Sequence, residues 1–509
     1  MSTMTRTAFT ALRWNYVGFF ARSGSNFMIG ILLARLLGPK PFGQIAAAML
    51  VIGIANLITD AGFTSALIQT PALTDLQIRY VFTSQFLIAL GMTLVCALAS
   101  PWVASAFHDP AVRGVLLAIS PLFLLQACGQ TSNALLRRKL AFRTLQIAEV
   151  SSYLLGYLLV GVPLAFAGAG VWSLVAAQMT QSTINAALLY FHVRHSIYPT
   201  FDRSGRHLLR FGVKVTLTNI VNYGISNTDT FVVGHWFGST SLGFYNRAFN
   251  LPGAPADGVV NSLQGVLFAS CSRAEGRLGS LRRAYLACLA AIAFIVLPPF
   301  WAVAAAPATV MVGLYGERWR SAAPLLRPLA LALSLHALMA MAGPILSAVN
   351  LVEREVYAQL RALVVTLAIF WIAVRFSVHA LAWGVLVAYL CRFLLATYPT
   401  LRVLQLQWND VLRVLAGPVL VAILSAVSVG TLNVALMHAG LPPSVAILLL
   451  LSTGSMVVLL AIVLAKGFFF PAEFGDLLRK GMTGAPPAAM RLLLGQAAFD
   501  GVRGAGGGV

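Results

Sequence analysis

Leu36-Leu37-Gly38-Pro39-Lys40-Pro41-Phe42-Gly43 closes the first long apolar stretch, and a degenerate copy, Trp236-Phe237-Gly238-Ser239-Thr240-Ser241-Leu242-Gly243, follows two hundred positions later. In both, the glycines stand five apart behind an apolar pair, with long hydrophobic segments on either side. A tight hinge between two membrane helices has this form. Its recurrence reads as a duplication, giving two homologous helical halves. Glycine-containing hairpin turns also recur by chance, so the duplication has to be judged on what else the copies share.

The surrounding composition sets the class. The chain is 59% hydrophobic and 10% charged, far from the roughly quarter-charged make-up of soluble domains. Apolar stretches approach or exceed the roughly 20 residues a helix needs to cross the hydrocarbon core. The dyad alternation of an outer-membrane barrel is missing. The expected fold is therefore an all-α polytopic membrane protein with about fourteen transmembrane helices. Four of the expected spans are 12–37, 42–68, 211–237 and 242–269.

Aligning Gly38 with Gly238 pairs the first two spans with the seventh and eighth, so each copy is a six-helix bundle of unchanged orientation. That predicts a pseudo-two-fold along the membrane normal and a cavity between the halves, a plan common among transporters. The expected divisions are an N-terminal bundle over 1–200, a C-terminal bundle over 201–405, an additional helix pair over 406–466 and a cytoplasmic, disordered tail over 467–509.

The formal charge of +20 does not point to nucleic acid, because the basic residues sit in short loops between spans. Loops on one side hold Arg137, Arg138, Lys139 and Arg143, then Arg194, Arg203, Arg206 and Arg210, then Arg273, Arg277, Arg282 and Arg283. The other side is poorer, with Lys40, Arg113, Arg318 and Arg320 as exceptions. By the positive-inside rule both termini are cytoplasmic. The first segment carries Arg13, Asn15 and Arg22 and has no small-residue cleavage site behind a short apolar core, so it reads as a retained helix. The five cysteines show no C-x-x-C spacing and no His/Cys cluster, and neither a disulfide framework, a metal site nor a cofactor is expected. His235, His336 and His379 read as interfacial or packing residues, and the tryptophans near span ends as interfacial anchors. No P-loop, HExxH or nucleophile elbow appears.

Polar residues inside the spans carry the functional signal. Asn15, Arg22 and Asn26 follow at steps of seven and four, which places them on one narrow helical face. Asn219, Asn222, Ser226 and Asp229 fall within one arc of the seventh span, and the hinge offset pairs Arg22 with Asn222 and Asn26 with Ser226. The polar stripe is thus duplicated with the hinge. A charge at the bilayer centre costs about 2.5–3.5 kcal/mol even on the lenient insertion scale, so Arg22 should face protein or water. It either lines an aqueous cavity or forms a structural ion pair with Asp60 or Asp229.

The second span adds Asn56 and Asp60 on a face that also holds Gly53, and the eighth adds Arg247, Asn250, Asp257 and Asn261. Pro252, Gly253 and Pro255 are expected to interrupt the eighth, as a packing kink or as a bending point. Arginine keeps its charge and grips phosphate oxygens bidentately, which suits an anionic ligand. The candidate substrate-binding residues are Arg22, Asn26, Asn222 and Arg247. Asp60, Asp229 and Asp257 could take up and release a proton, although pairing with arginine is equally compatible. Gly38, Gly43, Gly238, Gly243 and Pro252 are the expected hinge positions.

Leu32-Leu33-Ala34-Arg35-Leu36-Leu37-Gly38-Pro39 with Phe42-Gly43, followed by Asp60-Ala61-Gly62-Phe63 and Ala66-Leu67-Ile68-Gln69, resembles the opening of the polysaccharide-export flippases. These are the Wzx-type lipid-linked oligosaccharide translocases of the multidrug/oligosaccharidyl-lipid/polysaccharide (MOP) superfamily. The likeness continues through Leu136-Arg137-Arg138, Phe142-Arg143, Gly170-Val171-Trp172-Ser173-Leu174-Val175 and Asp229, then Gly243-Phe244-Tyr245-Asn246-Arg247-Ala248. Leu314-Tyr315-Gly316-Glu317-Arg318-Trp319 before Ala323-Pro324-Leu325-Leu326 extends it to about residue 350, and the last two spans carry little of it. The resemblance implies a MATE-like, V-shaped pair of bundles. It also implies an undecaprenyl-pyrophosphate-linked oligosaccharide as substrate, moved across the bacterial inner membrane for O-antigen, exopolysaccharide or capsule synthesis. Membrane lipids and other polysaccharide-assembly proteins, a polymerase among them, are the implied partners. Arg22, Asp60, Asp229 and Arg247 are the positions onto which the family's cavity charges carry over.

Two other functions fit the composition. A drug/cation antiporter of the same superfamily should have an acidic cavity, whereas the duplicated face here carries arginine. A membrane polymerase or glycosyltransferase should present a large extramembrane loop or a nucleotide-sugar site, and the sequence shows neither.

Overall fold

Gly38 and Gly238 carry the same backbone conformation, φ 75° and ψ −175° at the first, φ 77° and ψ 174° at the second. Side chains with a Cβ reach that region only under strain. Around Gly238 nothing lies within 4 Å of where a Cβ would stand, so the dihedral itself, not crowding, demands glycine. The duplicated octapeptide therefore bends the chain twice in the same way.

The computed structural model describes residues 3–464 apart from 71–72, 201–205, 274–277 and 350. The tail expected from 467 onward, with Arg203 and Arg277, lies outside the described residues, as do the side chains of Arg13, Asn15, Arg206, Arg210 and Arg273. Among the described residues the regular structure is entirely helical.

The run begins with α1 (Thr3–Leu37), α2 (Pro39–Asp60), α3 (Phe63–Gln69), α4 (Asp75–Ala106), α5 (Ala111–Ile119) and α6 (Leu122–Arg138). It continues with α7 (Phe142–Tyr153), a π-helical segment (Leu154–Gly161), α8 (Val162–Phe166), α9 (Val171–Val193) and α10 (Arg206–Arg273), which Gly238 divides into two arms. There follow α11 (Leu278–Ala305), α12 (Pro307–Tyr315), a 3₁₀ turn (Glu317–Ala322), α13 (Ala323–Met339) and α14 (Ala342–Ala348). The last are α15 (Val352–Ala373), α16 (Val378–Leu404), α17 (Trp408–His438) and α18 (Pro443–Leu464).

Ten helical stretches among the described residues are long and apolar enough to cross a membrane. The other spans expected from the sequence correspond to α1, α9 and the two arms of α10. These fall short in apolarity because they hold the polar side chains: Arg22 and Asn26 on α1, Gln178 and Gln181 on α9, Asn222, Asp229, Arg247 and Asp257 on α10.

Two local expectations need correction. The second span is not one helix, because Ala61 (φ 44°) and Gly62 (φ 68°) turn left-handed and separate α2 from α3. The interruption expected at Pro252, Gly253 and Pro255 does not occur either. Helical dihedrals continue through all three, and the non-helical position inside α10 is Gly238. A proline removes a single backbone donor, and membrane helices accommodate that loss by local adjustment.

The chain divides into two compact units, Met1–Asn246 and Arg247–Val509. In the first, α2, α4, α5, α6 and α9 enclose Ile52, Val115, Leu116, Ile119, Phe123 and Val175. In the second, α11 is the central helix: its alanines 287, 290, 291 and 293 are all buried and let neighbouring helices approach closely. The final pair is integral to this unit. α17 packs along α11, and α18 along α12, where Gly313 makes room for the Pro443 carbonyl 2.6 Å from its missing Cβ. Leu90, Leu94, Leu98 and Trp102 on α4, and Leu448, Leu451 and Leu459 on α18, stay exposed. In a bilayer such faces meet acyl chains.

Candidate functional site

In the first unit, α1 docks on α7. Gly18 lies against the Gln146 side chain, and one turn further along both helices Arg22 Nη1 donates to Glu149 Oε2 at 2.8 Å. The Arg22 side chain keeps 47% of its surface exposed, against 18% for Glu149. Neither Asp60 nor Asp229 is the partner, as the ion-pair alternative supposed. Glu149 had one sequence signal, being the lone acid between Asp109 and Asp202. The other members of the two duplicated pairs, Asn26, Asn222 and Ser226, are exposed as well, whereas Asp229 on the same arc of α10 is buried.

The acidic candidates are placed quite differently from one another. Asp60 ends α2, where its Oδ1 accepts from the Thr64 hydroxyl at 2.5 Å and ties the helix to α3 across the left-handed turn. Asp229 is buried. Its Oδ2 accepts from Tyr245 Oη at 2.6 Å and its Oδ1 from the Thr230 backbone N–H at 2.7 Å. Because Asp229 and Tyr245 lie on opposite arms of α10, this bond is a strut across the Gly238 bend. Removing a donor from a buried acceptor costs about 1–3 kcal/mol. Tyr245→Phe should therefore lower the unfolding midpoint of the detergent-solubilised protein, and an unchanged midpoint would mean the strut carries no load.

Gly43 and Gly243, expected as hinge positions, lie within helical runs and mark a close backbone approach. A Cβ on Gly43 would land on the Ser239 carbonyl and within 2.9 Å of Gly243 N; one on Gly243 would land on the Pro39 carbonyl and 3.1 Å from Gly43 N. Each glycine thus lets the start of α2 and the start of the second arm of α10 cross backbone to backbone. Ten residues along α2 from Gly43, Gly53 leaves space for Tyr223, whose hydroxyl donates to the Met49 and Leu50 carbonyls at 3.4 and 3.3 Å.

Sequence reasoning missed Asp109, in the short link between α4 and α5. It is 8% exposed and accepts from Gln44 Nε2 at 2.9 Å, Ser239 Oγ at 2.5 Å and the Ala111 N–H at 3.0 Å. Burial pushes its carboxyl up, but these hydrogen bonds and the nearby Lys40 charge outweigh it and hold the group below the usual carboxylate range.

In the second unit the Arg247 guanidinium lies 5.7 Å from the centroid of Tyr315, itself 4% exposed. Asp257 keeps 68% of its side-chain surface exposed and faces His336 Nε2 at 3.8 Å, a residue read from sequence as interfacial or packing. His336 in turn meets Tyr389 edge-on at 5.6 Å, and Arg392 covers that ring at 5.2 Å. Pro252 is an interior residue of α10.

A family model described as "Polysaccharide biosynthesis protein" matches residues 32–324, more than half of the chain. The chain belongs to this family. As a member of the polysaccharide biosynthesis protein family it carries within the matched stretch both bends, Asp60, Asp109, Glu149, Asp229, Arg247 and Asp257, whereas Arg22 and Asn26 precede it. It is 27% identical over 321 residues to the succinoglycan biosynthesis transport protein ExoT of Rhizobium meliloti (strain 1021), a match covering 62% of this chain. The chain spans 64% of the length of that relative.

Among solved structures the fold is shared with "Lipid II flippase MurJ, inward closed conformation", at TM-score 0.67 and 12% identity over 90% of this chain and 98% of that one. It is also shared with an inward-facing multidrug resistance MATE family transporter of the MOP superfamily, at TM-score 0.58 and 16% identity over 75% of this chain and 95% of that one. The protein is a multi-pass membrane protein of that fold.

Proposed function

We propose that the chain is a flippase that carries undecaprenyl-pyrophosphate-linked oligosaccharide repeat units across the bacterial cytoplasmic (inner) membrane by alternating access, feeding O-antigen, exopolysaccharide or capsule assembly. Family membership supports a role in polysaccharide biosynthesis, ExoT is named as a transport protein, and the fold is shared with a protein named as a lipid II flippase. The observation that carries the reading is the exposure of Arg22, Asn26 and Asn222 on helices that are otherwise built for a bilayer. Lipid would penalise those groups and an anionic, hydroxyl-rich ligand would use them.

In this reading Arg22 and Arg247 neutralise the diphosphate, and the amides of Asn26 and Asn222 hydrogen-bond sugar hydroxyls. Asp60, Asp229 and Asp257 are the coupling groups. Asp229 links ionisation to shape, since its carboxylate holds Tyr245 across the bend. Gly38 and Gly238 set the bends about which the cycle turns. Both termini are cytoplasmic, and membrane lipids, a polymerase and other assembly proteins are the partners.

The test uses the full chain in proteoliposomes with a pyrophosphate-linked glycolipid that is fluorescent on its sugar. Protein-dependent exposure of the inner-leaflet fluorophore to an impermeant quencher is expected. Transport of cationic dyes with no movement of the glycolipid would replace the reading with a drug/cation antiporter, and new glycosidic bonds would replace it with a polymerase.

A further inference from the structure

Asp109 is a buried carboxylate that the transport reading does not use. A buried charge is expensive unless it is fully hydrogen-bonded, and this one is satisfied in a way that joins three separate segments. Its Oδ2 takes hydrogen bonds from Gln44, which follows Gly43 on α2, and from Ser239, which follows Gly238 on α10. Oδ1 takes the backbone N–H of Ala111. A single oxygen therefore grips the residue that follows the first octapeptide and a residue of its repeat, at the place where Gly43 and Gly243 lie against each other's backbone.

A second contact ties the same segments. The His235 ring donates from Nδ1 to the Ala106 carbonyl at 2.6 Å and lies 5.6 Å from the His108 ring. The end of α4 and the link to α5 are thus fastened to the two sides of the Gly238 bend, with Lys40 exposed beside them.

We propose that Asp109 is a positioning residue, a latch that holds the start of α2 and the second arm of α10 crossed, and that releases when the crossing parts during the transport cycle. This rests on the alternating-access reading. The chemistry is specific to a carboxylate. Gln44, Ser239 and the Ala111 N–H all donate to it, and an asparagine in its place offers an acceptor on one side only, its amide N–H₂ facing either the Ala111 N–H or the Gln44 and Ser239 pair. Replacing the Gln44 amide by a carboxylate is equally disruptive, because Gln44→Glu sets two carboxylates against each other. Combining Asp109→Asn with Gln44→Glu restores one donor facing one acceptor.

The experiment uses the full chain in lipid nanodiscs with its five native cysteines replaced and one reporter, Ala47→Cys. Ala47 is fully buried one turn beyond Gly43 on the same face of α2. The rate of maleimide labelling at position 47 reads how often the crossing opens. Asp109→Asn and Gln44→Glu are each expected to raise that rate about tenfold or more, equivalent to about 1.4 kcal/mol, and the double variant to bring it back near the parent. Should Asp109→Asn fail to reach the membrane, Gln44→Glu and Ser239→Ala carry the test. Labelling at the parental rate in correctly folded single variants overturns the latch.

Labelling needs no substrate, so the two readings fail separately. Flat labelling beside intact glycolipid flux removes the latch and leaves the flippase. Raised labelling in the variants, beside a parent that moves no glycolipid, keeps the latch and removes the flippase.

Discussion

Arg22→Ala is expected to lower glycolipid flux about thirtyfold or more, on the basis that the bound diphosphate buries its pair with Arg22, that truncating one partner of a buried hydrogen-bonded charge pair costs about 2–5 kcal/mol, and that about 1.4 kcal/mol is a factor of ten. The protein should still reach the membrane, and lipid-linked repeat units should accumulate in cells that depend on it. The difficulty is that Arg22 already has a partner in Glu149. A purely structural ion pair would make Glu149→Gln comparably damaging to Arg22→Ala, because either change removes the ion pair. If Arg22 instead serves the diphosphate, Glu149→Gln leaves the guanidinium available and flux stays within about twofold of the parent, a change of a few tenths of a kcal/mol. The guanidinium has donors to spare: one Nη bonds Glu149 and nearly half of the side-chain surface is open. Arg22→Lys should recover part of the loss, since it keeps the charge without the bidentate fork. Equal damage from Arg22→Ala and Glu149→Gln, in flux and in unfolding midpoint alike, would assign Arg22 to holding α1 on α7 and nothing more.

Legibility in the sequence follows from how local each cause is. The bends at Gly38 and Gly238 could be read because a positive φ demands glycine and the demand is met within one residue. The polar stripe could be read because a helical period fixes which residues share a face, wherever the neighbours are. Partners could not. Glu149 meets Arg22 because Gly18 admits Gln146, and that packing is decided by an approach between α1 and α7. Asp109 drew no attention in the sequence because its donors lie on helices distant in the chain. Asp257 was read as a coupling candidate or an arginine partner, and it faces His336, which had no partner pattern in the sequence and was read as interfacial or packing. The prolines of α10 misled in the opposite direction. Their local rule is sound in water, but a membrane helix has neighbours able to satisfy the freed backbone groups, and the run continued.

Gly43→Leu should prevent the first unit from folding, and Gly243→Leu should do the same. Overpacking a core ordinarily costs about 1–3 kcal/mol because side chains can turn aside. Here the obstacles are backbone atoms: the Ser239 carbonyl and Gly243 amide for one substitution, the Pro39 carbonyl and Gly43 amide for the other. Neither can rotate away without moving a helix. Parting the helices would also pull Gln44 and Ser239 off Asp109 and leave that carboxylate buried with fewer donors, so the two losses add and the total should exceed the ordinary range. Alanine should already be damaging at either position, since its single Cβ is the atom that collides. Gly91 is the control. It lies inside α4 with nothing within 4 Å of a Cβ, and Gly91→Ala should shift stability by no more than about 1 kcal/mol, the difference in helix propensity. Fluorescence-detected size exclusion in detergent, with unfolding midpoints, separates these cases. A monodisperse Gly43→Leu protein with the parental midpoint would mean that the two octapeptides do not touch, and the latch built on their crossing would fall with them.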